Sequence, residues 1–380
     1  MRIKLGEIGK IITGNTPKTS EAENYNSNDI CFIKPSDILE NDITYIYKSE
    51  FYLSEIARNK ARVLPKNSLL VTCIGIIGKV AINKVECAFN QQINAIIPNL
   101  NKCLPNYLAY TIQYKKDEMQ KIANAAVVPI LNKTQFSNIE VFIPMIEEQQ
   151  KIAVVLDKVS ELITLRKKQL EKLDELVKSR FVEMFGDPVS NSFCLPEATL
   201  PELGEFGRGV SKHRPRNAPE LLGGSYPLIQ TGEVAAADLY IISYENTYSE
   251  LGFQQSKMWD KGTLCITIAA NIARTAILGF DACFPDSVVG FNANEKVNNI
   301  FIHYWFSFFQ TILEAQAPES AQKNINLKIL SELKVIVPPV NKQNQFSNFV
   351  QQVDKQKSSI QQSLDKLEVL KKALMQEYFG

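Results

Sequence analysis

The sequence predicts an α+β fold, in which two similar α+β domains are separated by two long helices packed as an antiparallel coiled coil, with pseudo-two-fold symmetry. Three observations predict it. The stretch from Pro144 to Gly186 is written again, without a gap, from Pro338 to Gly380. Both copies carry apolar residues at heptad spacing. Ahead of each copy lie short runs of β-branched residues separated by Asn, Pro, Gly and Lys.

The repeat holds in register along its length. Pro144 meets Pro338, Gln149 meets Gln343, Leu170 meets Leu364 and Phe185-Gly186 meets Phe379-Gly380, all at an offset of 194. Solenoid repeats recur every 20 to 50 residues, so this period marks the duplication of a half-protein that ends in a helix. A chain of 380 residues has room for two cores. The predicted segments are a first domain over 1–143, a first long helix over 144–186, a linker over 187–198, a second domain over 199–337 and a second long helix over 338–380.

In the first domain, strands are predicted at Ile30–Lys34, Ile43–Lys48, Leu69–Ile74, Lys79–Lys84 and Ile93–Pro98. A helix opens at Pro105, a residue suited to a first turn, and runs to about Ala123. The seam of the first long helix passes through Ile152, Leu156, Val159, Ile163, Leu170, Leu173 and Val177. That of the second passes through Val350, Val353, Ile360, Leu364, Leu367 and Leu374. Arg166 and Arg180 interrupt the first seam, and Lys357 and Lys371 the second. Each helix of about 35 residues is about 50 Å long, and its apolar stripe needs a partner. Antiparallel pairing satisfies both stripes, whereas a parallel pair would require the linker and second domain to span a whole helix. Asp187–Pro196 carries turn residues and no periodicity, as a linker does.

The second domain repeats the first more loosely. Leu5-Gly6-Glu7 returns as Leu203-Gly204-Glu205, and Ile33–Ile38 returns as Ile229–Val234. Lys66–Leu69 returns as Lys261–Leu264, and Lys79–Ile82 as Arg274–Ile277. The scaffold is kept while the connecting segments diverge in length and chemistry. Loops are where binding specificity usually sits, so the pattern suits two related modules that read different targets.

Composition narrows the function. The formal net charge of +1 gives no overall pull toward nucleic acid, so a nucleic-acid surface must come from local clustering or be shared with a partner. The seven cysteines are scattered with no Cys-x-x-Cys pair, which indicates neither a disulfide framework nor a zinc site. Free thiols in a reducing cytoplasm are expected. The N-terminus does not read as a signal peptide, and no apolar run reaches the roughly 18 residues of a membrane span. His213 and His303 cannot supply a two-histidine metal site without cooperation from scattered carboxylates, and His303 reads as core or helix surface. Gly75–Val80 resembles a phosphate loop only faintly, with Cys73 at its opening position and Val80 where Ser or Thr would bind magnesium. It reads as strand–turn–strand. Pro338-Pro339-Val340 lacks the Asn and aromatic residue of an amino-methyltransferase motif, and no Gly-x-Gly-x-x-Gly occurs. No catalytic residue and no metal ligand is assigned.

Binding candidates lie on the loops. The most basic cluster is Arg208–Arg216, with Arg208, Lys212, His213, Arg214 and Arg216 and no acid within the segment. It could grip phosphates or read guanine edges, or be a solvated basic loop. The matching segment of the first domain, Thr13–Ser20, offers Asn15, Thr16, Lys18 and Thr19. Asn90, Gln91 and Gln92 set amides beside a strand, where they could bond adenine or cap turns. Lys34, Ser36 and Lys79 join them, as do Gln230, Thr231, Asn271 and Arg274 in the second domain. Lys323 and Asn324 form a further turn, whose equivalent is Asn132-Lys133.

Several motifs together carry a family resemblance. They are the Pro144–Ile152 run, which closes on Glu-Gln-Gln-Lys-Ile, and the Phe-Val-Glu-Met-Phe-Gly-Asp-Pro end from Phe181 to Pro188. Gly-Asn-Thr-Pro (Gly14–Pro17), Ile-Lys-Pro-Ser-Asp-Ile (Ile33–Ile38) and Ile-Gly-Lys-Val-Ala (Ile77–Ala81) add to them. With these, the whole chain resembles the specificity (S) subunit of Type I restriction-modification systems. The second helix departs locally, carrying Lys342-Gln343-Asn344. The resemblance implies two target-recognition domains, each reading one half of a bipartite site in double-stranded DNA. It implies that the helices set the spacer and dock two methyltransferase subunits, to which restriction subunits add. Adenine methylation and ATP-dependent cleavage would belong to those partners, with S-adenosylmethionine, ATP and Mg bound there and no cofactor on this chain. A non-catalytic cytoplasmic protein follows. The competing reading is a two-headed coiled-coil scaffold that binds only protein.

Overall fold

The computed structural model describes residues 2–123, 128–269, 271–316 and 325–380. The chain forms two compact units, one of residues 1–168 with 361–380 and the other of residues 169–360. Each long helix therefore contributes one half to each unit.

In the first unit, strand Arg2–Lys4 pairs antiparallel with Glu140–Phe142 and ties the ends of the module together. A five-stranded sheet runs in the order Gly9–Thr13, Ile93–Pro98, Leu69–Thr72, Val80–Asn83 and Thr44–Ile46. A four-stranded sheet runs Phe51–Leu53, Ile30–Ile33, Cys87–Phe89 and Val63–Leu64. Leu69–Thr72 and Val80–Asn83 are buried along their whole length. They therefore read as continuous apolar runs rather than as alternating strands. Between them Gly75 and Gly78 adopt φ of 75° and 87°, a conformation that glycine takes without steric cost. The segment is a strand–turn–strand.

Helix α1 (Pro105–Tyr114) opens with its proline in the first turn. It stops earlier than the predicted Ala123. The Lys115 N–H is shared between the Thr111 and Ile112 carbonyls at 3.2 and 3.1 Å. This tightens the last turn, and a separate short helix, Lys116–Ile122, follows. Helix α2 (Ile146–Phe185) is 40 residues long, with Glu147 and Glu148 in its first turn, where they favour the positive end of the helix dipole.

The second unit repeats the same strand order. Its five-stranded sheet runs Gly204–Arg208, Val288–Ala293, Leu264–Thr267, Thr275–Leu278 and Tyr240–Ile241. Its four-stranded sheet runs Asn246–Tyr248, Leu222–Leu228, Ala282–Cys283 and Met258–Trp259. Glu197–Thr199 pairs with Lys334–Ile336 as the tie. Helix α3 spans Asn299–Gln316, and helix α4 (Val340–Phe379) again has 40 residues.

The long helices pack antiparallel in both units. In the first, Ile152, Ala153 and Leu156 near the start of α2 share a core with Met375 and Phe379 at the end of α4. Lys167 pairs with Glu368 at 3.2 Å. In the second, Val177, Phe181 and Phe185 of α2 share a core with Phe346, Val350 and Val353 of α4. The seam residues Ile152, Leu156, Val159, Ile163, Val177, Val350, Val353 and Leu364 are buried. Leu170, Leu173, Ile360, Leu367 and Leu374 are half-buried.

Candidate nucleic-acid interface

In the first unit, the loop after the first sheet strand lies across the turn that precedes Ile93–Pro98. The Gly14 N–H donates to the Ile93 carbonyl at 3.1 Å, and the Asn15 N–H to the Phe89 carbonyl at 3.0 Å. A Cβ on Gly14 would sit 2.1 Å from the Asn90 carbonyl oxygen, so only glycine fits there. This crossing brings Asn15, Thr16, Asn90, Gln91 and Gln92 together, but in two roles. Asn15 accepts from the Arg62 N–H at 2.9 Å and donates to the Lys60 carbonyl at 2.8 Å. Asn90 is buried and bonded to Gln92. These two amides are spent inside the turn. Thr16 and Gln91 are exposed, and the Thr16 hydroxyl donates to Gln91 Oε1 at 2.7 Å. Lys18 and Thr19 are exposed beside them, with Lys18 3.9 Å from Glu21.

The second unit builds the same crossing with other chemistry. The Gly209 N–H donates to the Val288 carbonyl at 2.9 Å, and a Cβ on Gly209 would sit 2.2 Å from the Phe284 carbonyl oxygen. Gln255 Oε1 accepts from the Lys212 and His213 N–H groups at 2.6 and 2.9 Å and splints the basic loop. The His213 ring Nδ1 lies 3.4 Å from the Pro215 carbonyl oxygen. The Arg214 guanidinium donates to the Ser211 and His213 carbonyls at 2.6 and 2.9 Å, and to Asp286 at 3.3 Å. Arg216 pairs with the other oxygen of Asp286. The segment has no acid of its own, yet the fold brings Asp286 to it. Arg208 is exposed on the adjoining strand.

The remaining candidates lie on other loops. In the first unit Thr72 accepts from the Lys79 N–H at 3.0 Å; in the second, Thr267 accepts from the Arg274 N–H at 3.1 Å. These threonines pin equivalent loops. The Lys79 ammonium donates to the Pro35 carbonyl at 3.1 Å, and that of Lys34 sits 3.0 Å above the Phe51 ring. Ser36 is exposed. The Gln230 N–H donates to Glu233 at 3.1 Å, and Thr231 is half-buried. Asn132 caps the short helix Lys133–Ser137, accepting from the Gln135 N–H at 2.9 Å, and Lys133 is exposed. Asn271 and Arg274 are exposed. Lys323 and Asn324 lie outside the described residues.

Arg274 lines a polar cavity of about 260 Å³ in the second unit, with His303, Tyr304, Asp174, Asp238 and Lys357. Burial works to lower the Lys357 pKa. Bonds to Asp174 at 2.8 Å and Asp238 at 2.6 Å outweigh it and raise the value. Burial pushes His303 down to about 4, so its ring is neutral near pH 7 and bonds Thr275 at 2.9 Å. Burial likewise pushes Cys73 up to about 11, and Cys87 and Cys103 to about 12, which keeps them as thiols. Among the described residues, no group of three His, Cys, Asp or Glu is placed to hold a metal ion.

Sequence reasoning missed Asp286 and Gln255, because both lie more than 40 residues from the loop they order. Only the repeat, carried through the second domain, could have set Asp286 opposite Gln91.

Comparison with known proteins gives one answer. The Type I restriction modification DNA specificity domain matches twice, over residues 1–175 and 198–369. A protein of Methanocaldococcus jannaschii named as the type I restriction enzyme MjaX specificity subunit is 25% identical over 318 residues, covering 79% of this chain and 73% of that one. The MjaIX specificity subunit from the same organism is 34% identical over 188 residues, covering 48% of this chain and 43% of its own length. The crystal structure of the S subunit of a Type I restriction-modification system from M. genitalium shares the fold. It has a TM-score of 0.59 and 14% identity, covering 100% of this chain and 96% of that one. The chain therefore belongs to the Type I restriction modification DNA specificity family and carries two copies of its domain.

Proposed function

We propose that the two recognition domains of this specificity subunit each read one half of a bipartite DNA site, and that the long helices set the spacer between the halves. The observation that carries this reading is the repeated loop crossing. One backbone arrangement, fixed by Gly14 and by Gly209, presents an amide and a hydroxyl in one module and paired guanidiniums in the other. Shared scaffold with different chemistry at the same exposed place is what two readers of different sequences require.

A specificity subunit is non-catalytic and works within an assembly with DNA and the methyltransferase and restriction subunits. In our reading, two methyltransferase subunits dock on the long helices, and restriction subunits add through them. Adenine methylation and ATP-dependent cleavage then belong to those partners, which also hold S-adenosylmethionine, ATP and Mg. No helix among the described residues is long and apolar enough to cross a membrane, and we place the protein in the cytoplasm with the DNA it reads.

Footprinting of the complex with its methyltransferase tests the proposal. Two short protected patches flanking an unprotected middle are expected. Absence of sequence-dependent protection would leave only a protein scaffold.

A further inference from the structure

We infer that Asp286 is a positioning residue that holds Arg214 and Arg216 for reading guanine in one half-site, and that Gln91 stands at the equivalent place for reading the other. The inference rests on the bipartite reading above.

The two positions match by backbone. Gly14 bonds to Ile93 as Gly209 bonds to Val288, at the same offset of 195. A Cβ on either glycine meets the carbonyls of Phe89 and Asn90, or of Phe284 and Pro285, at that offset again. Gln91 and Asp286 follow one residue later in each turn. What crosses to them differs. Thr16 donates to Gln91 Oε1 at 2.7 Å, leaving the Gln91 amide N–H groups and a second Oε1 lone pair for a partner. Gln91 is the right group to bond adenine through N6 and N7. Asp286 instead takes Arg214 on one oxygen and Arg216 on the other.

Stability does not account for that clasp. The Arg214 and Arg216 side chains are 54% and 44% exposed, and ion pairs this exposed contribute about 0–1 kcal/mol. A carboxylate beside DNA also repels phosphates, so it costs affinity. Its effect is geometric. A guanidinium has five N–H donors, and both arginines keep donors that neither Asp286 nor the loop carbonyls occupy. Held side by side, they suit the O6 and N7 acceptors of guanine. Gln255 also splints the loop by accepting from the Lys212 and His213 N–H groups, and a fixed loop favours the defined geometry that readout needs.

The test uses the full chain in complex with its methyltransferase, on the site mapped by sequencing methylated adenines. Binding is measured on the intact site and on duplexes with either half scrambled. For Asp286→Asn, discrimination against one scrambled half should fall about tenfold or more, while that against the other half is unchanged. Affinity for random DNA should hold or rise, because a negative charge is lost, and its salt dependence should not weaken. Asp286→Glu should restore most of the discrimination. Gln91→Ala should affect only the opposite half. Unchanged discrimination in Asp286→Asn, or an equal loss at both halves, overturns the assignment. A wild-type complex that treats all duplexes alike overturns the bipartite reading itself, and this assignment with it.

Discussion

Gln149 lies just inside the start of α2, fully buried, and spends its whole amide on the first module. Its Oε1 accepts from the Leu104 N–H at 2.9 Å, and its Nε2 donates to the Lys102 and Pro144 carbonyls at 2.9 and 2.8 Å. Gln343 does the same in the second unit with the Asn298 N–H at 3.1 Å and the Lys296 and Pro338 carbonyls at 2.9 and 2.8 Å. Every partner keeps the offset of 194. This explains why the glutamine survives in the second copy although its neighbours have become Lys342 and Asn344. Gln149→Leu would keep the volume and strand one N–H and two carbonyls, so we expect a loss of about 2–4 kcal/mol. Urea unfolding of the variant measures it, and a change below about 0.5 kcal/mol would show that the bonds are dispensable. The sequence displayed the repeated glutamine but not its role, since its partners in the loop before α1 lie more than 40 residues upstream.

At the scale of elements, the legible parts were those whose pattern is long or doubly buried. Each of the five strands predicted in the first domain overlaps an observed one. Gly9–Thr13, five residues long, was missed as well, and the others missed there, among them Phe51–Leu53, Val63–Leu64 and Cys87–Phe89, have two or three residues. Runs so short show no period, and pairing with Ile30–Ile33 or with one another makes them strands. The helices Ile146–Phe185 and Val340–Phe379 lie inside the predicted 144–186 and 338–380, and their 40 residues make about 60 Å each, more than the 50 Å expected from about 35. Inserting four residues after Lys168 would lengthen α2 by about 6 Å, close to two base-pair steps of about 3.4 Å. If the helices set the spacer, methylome sequencing of a host carrying this variant should report a longer spacer between unchanged half-sites. An unchanged spacer would mean that something other than the helices fixes the distance.

At the scale of the whole chain, each unit is completed by the helix that belongs to the other half of the duplication. Phe379, at the end of α4, packs 5.4 Å from Tyr107 and 6.0 Å from Tyr114 in the first unit. Its counterpart Phe185, at the end of α2, packs 5.1 Å from Phe301 and 5.6 Å from Phe346 in the second. Tyr107 and Phe301 are themselves equivalent in the repeat. The exchange means that the first unit lacks part of its core until residues 361–380 have been made, a contact of long sequence separation of the kind that slows folding. It also predicts where damage appears. Phe379→Ala removes a nearly buried ring, at a cost of about 3 kcal/mol, and amide exchange should accelerate in α1 while α3 stays protected. Phe185→Ala should do the reverse, exposing α3 and sparing α1. If either variant loosens both helices equally, the units do not open independently, and the two exchanged rings serve one cooperative core instead of two.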